Sequence, residues 1–200
     1  MITDVYKKRV QTFIFNNDVP EKELINSLLE KTYELVPSKQ NIIPYKVVVW
    51  GPEYDKEEFR NFCRYGSDMR FDYKNGTVQL LAPYVLFFCL RDINDANEKI
   101  KKMVRMGRAY DILEKGKNLE TTHIEIGMFA SILTGLCLEN NLSVSYTLCK
   151  PSAKDKGWKD FDFLSDRVLF MLSIGNSSQK KSLCDYNENK PPLKNIVEWI

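Results

Sequence analysis

The sequence has little histidine and no surplus of charge of one sign, and each shortage excludes a class of function. His123 is the only histidine, so one chain cannot build a multi-histidine metal site. A Ser-His-Asp or Cys-His catalytic group would have to use that same residue. Lys and Arg number 29 against 27 Asp and Glu, and this net charge of +2 gives no reason to expect nucleic-acid binding. If the protein is an enzyme, a bound organic cofactor is the expected carrier of its chemistry.

Long apolar runs and paired cysteines are also lacking. The longest apolar stretches, such as Tyr84–Leu90, are too short to span a bilayer. The first residues contain no apolar run of the kind that a secretory signal has, so we expect a soluble, cytoplasmic protein that does not associate with membranes. No two cysteines have the C-x-x-C spacing of a zinc or thioredoxin site. They are Cys63, Cys89, Cys137, Cys149 and Cys184.

The chain has the composition of an ordinary globular protein, and we expect residues 1–200 to form one domain. Segments rich in β-branched and aromatic residues predict strands at Tyr45–Trp50, Tyr84–Leu90, Ser143–Cys149 and Arg167–Ile174. Apolar periodicity predicts helices at Pro20–Val36, at Lys56–Tyr65, within Asn94–Leu113 and at Ile124–Leu138. This order indicates a mixed α/β or α+β domain, with room for crossovers that would make part of the sheet parallel.

The helix at Ile124–Leu138 is apolar nearly all round, which predicts a central core helix. Thr122-x-x-Glu125 fits a capping box at its start, and Asn140-Asn141 marks its end. We assign Glu125 no chemistry, and we expect His123 to be a surface residue in the first turn.

Five short blocks carry a further pattern. They are Lys8–Phe15 followed by Val19-Pro20, Pro37–Asn41 with Pro44-Tyr45, Asn75 before Ala82-Pro83, Ile124–Gly127, and Ile174-Gly175 with Lys190–Leu193. In this order and spacing they resemble the nitroreductase-like FMN-dependent oxidoreductase family along almost the whole chain. The resemblance implies a central mixed sheet flanked by helices, a buried core helix and an intertwined homodimer with two flavins at its interface.

The resemblance also implies an activity. Members use FMN, take hydride from NAD(P)H through flavin N5, and pass electrons to a small-molecule acceptor such as a nitroaromatic or a quinone. A relative that keeps the fold but acts as a flavin-binding or partner-binding dimer is the alternative. Oxygen-dependent flavin fragmentation and reductive dehalogenation are further possibilities within the enzyme class.

The resemblance also implies a set of site residues. Arg9 and Lys190 match the phosphate-binding positions, and Gln11 stands where relatives have serine. Pro37, Ser38 and Asn41 match a block that contacts the flavin ring across the dimer interface, and Asn75 matches a flavin-binding asparagine. Leu148 and Cys149 fall where relatives face the reactive edge of the flavin. The predicted cofactor-binding residues are therefore Arg9, Gln11, Pro37, Ser38, Asn41, Asn75, Leu148, Cys149 and Lys190, and no metal ligand is among them.

Taken without the resemblance, each block has a plainer interpretation. Arg9 and Lys190 would be solvated surface cations. Pro37–Asn41 would be a turn that ends a helix, and Asn75-Gly76 would be a turn as well. Cys149 would be an ordinary cysteine at a strand end rather than a redox thiol.

The chain also departs from the family pattern. Phe13, Val78 and Glu188 stand where relatives often carry cations. Positive charge near a reduced flavin stabilises it, so these departures bear on phosphate affinity and on redox potential.

Overall fold

The computed structural model describes residues 2–54, 78–91, 97–106, 119–148, 168–180 and 191–197. Within these ranges four α-helices and four β-strands are present. The helices are α1 (Ile2–Lys7), α2 (Lys22–Leu35), α3 (Glu98–Arg105) and α4 (Leu119–Glu139). The strands are β1 (Tyr45–Trp50), β2 (Tyr84–Leu90), β3 (Ser143–Thr147) and β4 (Val168–Gly175). Short 3₁₀ turns occur at Lys39–Asn41, Val78–Leu81 and Leu193–Asn195.

The four described strands form one sheet in the order β1-β2-β4-β3. All three pairings are antiparallel, with Tyr45 opposite Leu90 and Ser143 opposite Gly175. The α+β class is therefore confirmed, but the prediction of a mixed, partly parallel sheet is wrong for the described strands. Long connections between strands allow a return in either direction, so chain length alone does not determine strand orientation.

Strand β2 lies inside the sheet, and this position explains its uninterrupted apolar sequence. Successive side chains of a strand point to opposite faces, so a strand covered on both faces is apolar at every position. Phe87 packs with Trp50 and Met171 on one face, whereas Phe88 packs with the helices on the other. Both phenylalanine rings are fully buried. The predicted bounds of β1 and β2 are confirmed.

Helix α4 forms the main contact between helices and sheet. Its buried stripe, Ile126, Phe129, Leu133 and Cys137, belongs to the same core cluster as Leu86 and Phe88 of β2, together with residues of α2. The stripe covers only one side of the helix: on the other side Ile124 is 58% exposed and Met128 is 41% exposed. The predicted core helix is therefore confirmed, and within this single chain the core covers one of its sides.

The start of α4 also differs from the prediction. The helix begins at Leu119, so Thr122 lies inside its first turns and the Thr122–Glu125 pair is not a capping box. Glu125 instead reaches a neighbouring loop. The predicted end is confirmed: Asn141 has a left-handed φ of 58° and the Leu142 N–H donates to the Cys137 carbonyl at 2.9 Å. This is a Schellman-type helix end.

By length and composition, the part of α4 from Glu120 to Glu139 would be able to span a membrane. It is the one helix among the described residues that meets this test. Half of it is buried against the rest of the chain, as in the core helix of a globular fold.

Predictions elsewhere have mixed outcomes. Helix α2 is confirmed, and α3 confirms a helix within Asn94–Leu113. The predicted helix at Lys56–Tyr65 lies outside the described residues. Strand β3 ends at Thr147, two residues earlier than predicted.

Two cysteines can be assessed in the structure. Cys89 on β2 and Cys137 on α4 are buried and form no disulfide. Burial raises the pKa of Cys137 to about 12, so its thiol stays protonated and unreactive near neutral pH. These two cysteines act as small apolar core residues.

Candidate functional site

Arg9 is a half-buried cation that lies against an aromatic ring. Its guanidinium carbon is 4.8 Å from the centre of the Tyr146 ring, a cation–π distance. Its Nη2 donates to Gln11 Oε1 at 3.5 Å, which is a long hydrogen bond. No acidic side chain among the described residues forms an ion pair with it. Arg9 therefore keeps most of its donors available for an anion.

Gln11 connects this region to the edge of the sheet. Its Nε2 donates to the Tyr146 carbonyl at 2.8 Å and to Ser145 Oγ at 3.1 Å. Its Oε1 accepts the Tyr146 N–H at 3.4 Å. One carboxamide thus pairs with both backbone groups of Tyr146, as a neighbouring strand residue would. Gln11 covers the edge of β3 and places its oxygen beside Arg9.

A second glutamine holds the same segment from the other side. Gln179 Nε2 donates to the Gln11 carbonyl at 2.9 Å, and its Oε1 accepts the Phe13 N–H at 2.9 Å. The Thr12 N–H also donates to the Val144 carbonyl at 3.4 Å. The segment that carries Arg9 is therefore fixed between β3 and the chain that follows β4.

Tyr146 provides the surface on which Arg9 lies. Its hydroxyl is 2.6 Å from Thr134 Oγ1 of α4, and its ring packs against Phe170 with centroids 5.5 Å apart. The orientation of the ring is thus set by the core. We call Arg9, Gln11, Thr134, Ser145 and Tyr146 the Arg9 cluster.

The Pro37–Asn41 block lies in a loop between α2 and β1, and we call residues 37–43 the Ser38 loop. Asn41 and Ile43 have left-handed φ values of 54° and 49°. Such values are unusual for a β-branched residue such as Ile43, and a strained position of this kind costs about 1–3 kcal/mol. Pro37 and Asn41 are exposed, and Ser38 is half-buried.

Three side chains hold the Ser38 loop. Ser38 Oγ accepts the Ile43 N–H at 2.9 Å. Arg91 Nη1 donates to the carbonyls of Ile42 and Ile43 at 3.0 and 3.3 Å. Glu125 Oε1 accepts the Lys39 N–H at 3.0 Å. The Ser38 hydroxyl accepts a bond from within the loop and keeps its own proton to donate.

Glu125 lies beneath the loop and is only 4% exposed. Its second oxygen, Oε2, has no hydrogen-bond partner in the described part of the chain, and neither has the buried hydroxyl of Tyr45. Burial and, to a lesser extent, the nearby Glu125 charge raise the pKa of Tyr45 above its usual range. A buried carboxylate and a neutral phenol therefore lie close together under the Ser38 loop.

The Arg9 cluster and the Ser38 loop meet α4 at different points. Tyr146 contacts the helix at Thr134, whereas Lys39 contacts it at Glu125. These positions are nine residues apart on the helix, about 13 Å along its axis at 1.5 Å per residue. The chain thus presents two separate groups of the predicted residues.

The remaining predicted residues are only partly described. Leu148 directly follows β3 and is 71% exposed. Beside it, Thr147 Oγ1 donates to the buried Gln79 side-chain oxygen at 2.5 Å. Asn75, Cys149, Lys190 and Glu188 lie outside the described residues. Val78 begins a 3₁₀ turn, and His123 is exposed, as expected.

Four residues with clear roles in these groups were missed in the sequence: Arg91, Glu125, Tyr146 and Gln179. Glu125 had a usable signal, since a lone carboxylate in an otherwise apolar helix stretch needs a buried partner. Tyr146 and Gln179 had none, because Gln11, which both of them contact, lies more than a hundred residues away along the chain.

The arrangement of helices and strands matches solved structures over the full chain. A proposed NAD(P)H:FMN oxidoreductase from Staphylococcus epidermidis superimposes with a TM-score of 0.72 at 15% identity, covering 100% of this chain and 96% of that one. The chain has the nitroreductase-like fold. A nitroreductase-like protein from Streptococcus mutans gives a TM-score of 0.69 at 19% identity and covers 100% of both chains.

A third structure with the nitroreductase-like fold is a complex with FMN. It is a proposed nitroreductase from Desulfovibrio desulfuricans in complex with FMN, with a TM-score of 0.62 at 12% identity, covering 98% of this chain and 94% of that one. No family model matches the sequence. No curated protein sequence matches it either. The likeness is therefore one of fold, across a large distance in sequence.

Proposed function

We propose that the protein is an FMN-dependent oxidoreductase that takes hydride from NAD(P)H and reduces a small, flat acceptor such as a nitroaromatic or a quinone. The observation that carries the proposal is the Arg9 cluster on a nitroreductase-like fold. Arg9 is half-buried, lacks an acidic partner among the described residues, and is oriented by Tyr146 and Gln11. An oriented guanidinium with free donors suits a phosphate group.

The residues present fit FMN in two parts. Arg9 would bind the phosphate, with Lys190 as a second cation, while Gln11 orients Arg9. Pro37, Ser38 and Asn41, with Asn75, would contact the flavin ring, and Leu148 and Cys149 would border its reactive edge. The Ser38 hydroxyl proton and the exposed Asn41 side chain are the groups of the loop that can reach a ligand. Bound FMN would supply the hydride and electron chemistry, and the protein would supply position and charge.

We further propose a cytoplasmic homodimer in which residues 1–200 form one domain in each protomer. The exposed apolar side chains Ile124 and Met128 lie one turn apart on α4 and suit a protein interface. A dimer would also explain why the Arg9 cluster and the Ser38 loop lie apart within one chain. Each flavin would take its phosphate contacts from one protomer and its ring contacts from the Ser38 loop of the partner.

The alternative is a dimer that binds flavin or a protein partner without turnover. The residues Phe13, Val78 and Glu188 favour it, because relatives often have cations at these positions and none of the three is a cation here. Its cofactor would be held through Arg9 but not poised for reduction.

An absorbance spectrum of the purified protein tests the proposal. We expect flavin bands, present as purified or after loading with FMN, that bleach when NADPH or NADH is added without oxygen. Flavin bands that persist with both nucleotides would favour the alternative. A protein that takes up no FMN would contradict the enzyme proposal and also the flavin-binding form of the alternative.

A further inference from the structure

Glu125 is a buried carboxylate whose single hydrogen bond among the described residues goes to a loop backbone. An ionised side chain away from water is costly unless it is paired or hydrogen-bonded. Glu125 stands between Ile124 and Ile126, and its Oε1 accepts the Lys39 N–H at 3.0 Å. Among the described residues, the carboxylate is thus hydrogen-bonded to one backbone N–H of the Ser38 loop.

That point adjoins an unusual stretch of backbone. Asn41 and Ile43 are two of the three non-glycine residues with positive φ in the described chain, and the third, Asn141, ends a helix. Left-handed non-glycine residues persist where surrounding contacts hold them, and they cluster at ligand-binding sites. Glu125 of α4, Ser38 within the loop and Arg91 just after β2 provide such contacts.

We propose that Glu125 is a positioning residue of the candidate flavin site. Through the Lys39 N–H it holds the Ser38 loop in the conformation that gives Asn41 and Ile43 their left-handed φ values. This inference rests on the proposed function, because the loop is the part assigned to the flavin ring. Glu125 touches no ligand itself in this scheme. Preorganising the loop lowers the ordering cost of binding, so the carboxylate acts on affinity through the backbone.

Hydrogen exchange in the flavin-free protein tests the holding role directly. We expect Glu125→Ala to speed exchange of the Lys39 and Ile43 amides by about tenfold or more, because a hydrogen bond to a charged acceptor is lost. Glu125→Gln keeps an acceptor oxygen and is expected to stay within about threefold of the unchanged protein. If Glu125→Ala does not fold, Glu125→Asp is measured in its place, because its side chain is one methylene group shorter and withdraws the carboxylate from the Lys39 N–H.

Two control variants separate this role from general loosening of the core. Glu139→Ala removes an exposed carboxylate from the same helix and should leave exchange in the loop unchanged. Tyr45→Phe removes the buried hydroxyl near Glu125 and should also leave the Lys39 amide protected. Exchange in β2 should be the same in all variants.

FMN affinity, measured by quenching of flavin fluorescence, completes the test. We expect it to fall about tenfold in Glu125→Ala and to recover in Glu125→Gln, in parallel with amide protection. Unchanged exchange in Glu125→Ala, or faster exchange with unchanged FMN affinity, would overturn the positioning role. If the unchanged protein bound no FMN, the proposed function would fail, whereas the exchange data would still decide whether Glu125 holds the loop.

Discussion

Arg9 lies over the ring of Tyr146, with its guanidinium carbon 4.8 Å from the ring centre, and this contact orients its donors for an anion. The ring is itself fixed by Thr134 and Phe170, so the guanidinium is oriented by the core rather than by solvent. A preorganised arginine loses less conformational freedom on binding than a mobile one.

Replacing Arg9 tests the phosphate contact. We expect Arg9→Ala to weaken FMN binding by more than an order of magnitude, since a hydrogen bond to a charged group contributes about 1.5–3 kcal/mol. Equilibrium dialysis or fluorescence titration measures the change. Lys8→Ala removes an exposed neighbouring cation and is the matched control. Equal affinity in the Arg9→Ala variant and the unchanged protein would remove Arg9 from the site.

At the scale of elements, the end of β4 is packed too closely for any side chain at Gly175. A Cβ placed there would lie 2.6 Å from Pro83 Cδ and 2.9 Å from Phe15 Cδ1. Phe15 belongs to the segment that carries Arg9, and the Asn16 N–H donates to the Asn176 carbonyl at 2.7 Å. Gly175 thus allows the N-terminal segment to lie against the sheet.

Gly175→Ala is therefore expected to lower the free energy of unfolding by about 1–3 kcal/mol, the usual cost of overpacking. Urea unfolding at one fixed protein concentration measures the change. Ser178→Ala, in the exposed chain just beyond, should shift stability by less than about 0.5 kcal/mol. A Gly175→Ala variant as stable as the control would show that Pro83 and Phe15 move aside at little cost.

At the scale of the whole molecule, the two groups of predicted residues lie apart, and their separation makes the proposed dimer testable. The Arg9 cluster and the Ser38 loop meet α4 about 13 Å apart along its axis. The exposed Ile124 and Met128 offer an apolar surface near the Ser38 end of the helix. The proposed function, taken with these positions, predicts a homodimer in which each site combines both protomers.

Mixed dimers test that arrangement. One chain would carry Arg9→Ala, and the other would carry Ser38→Ala together with Asn41→Ala. If each site combines Arg9 of one protomer with the Ser38 loop of its partner, a mixed dimer has one intact site and one doubly altered site. We expect it to bind about one FMN with full affinity, whereas each parent homodimer binds weakly.

Isolation of the mixed species with two different affinity tags, followed by FMN titration, gives the stoichiometry. Uniformly weak binding in the mixed dimer would mean that each site is built within one chain. A monomer in sedimentation equilibrium would contradict the dimer itself.

The sequence by itself determined the local elements. Patterns of adjacent residues predicted β1, β2, α2 and the end of α4, because strand and helix periodicity, prolines and asparagines act over a few residues. Ordered motifs along the chain also indicated the nitroreductase-like fold, which the solved structures confirm. The site residues Arg9, Ser38 and Asn41 were named from those motifs and stay a prediction.

Only the tertiary structure decided which residues support those positions and how the strands run. The antiparallel order β1-β2-β4-β3, the contact of Arg9 with Tyr146 and the hold of Glu125 on Lys39 all join distant parts of the chain. Helix and strand periodicity describes neighbours in sequence, whereas these contacts depend on how whole elements pack. Glu125 illustrates both: the sequence shows a carboxylate in an apolar helix, but only the packing of α4 beneath the Ser38 loop gives that carboxylate its partner, the Lys39 N–H.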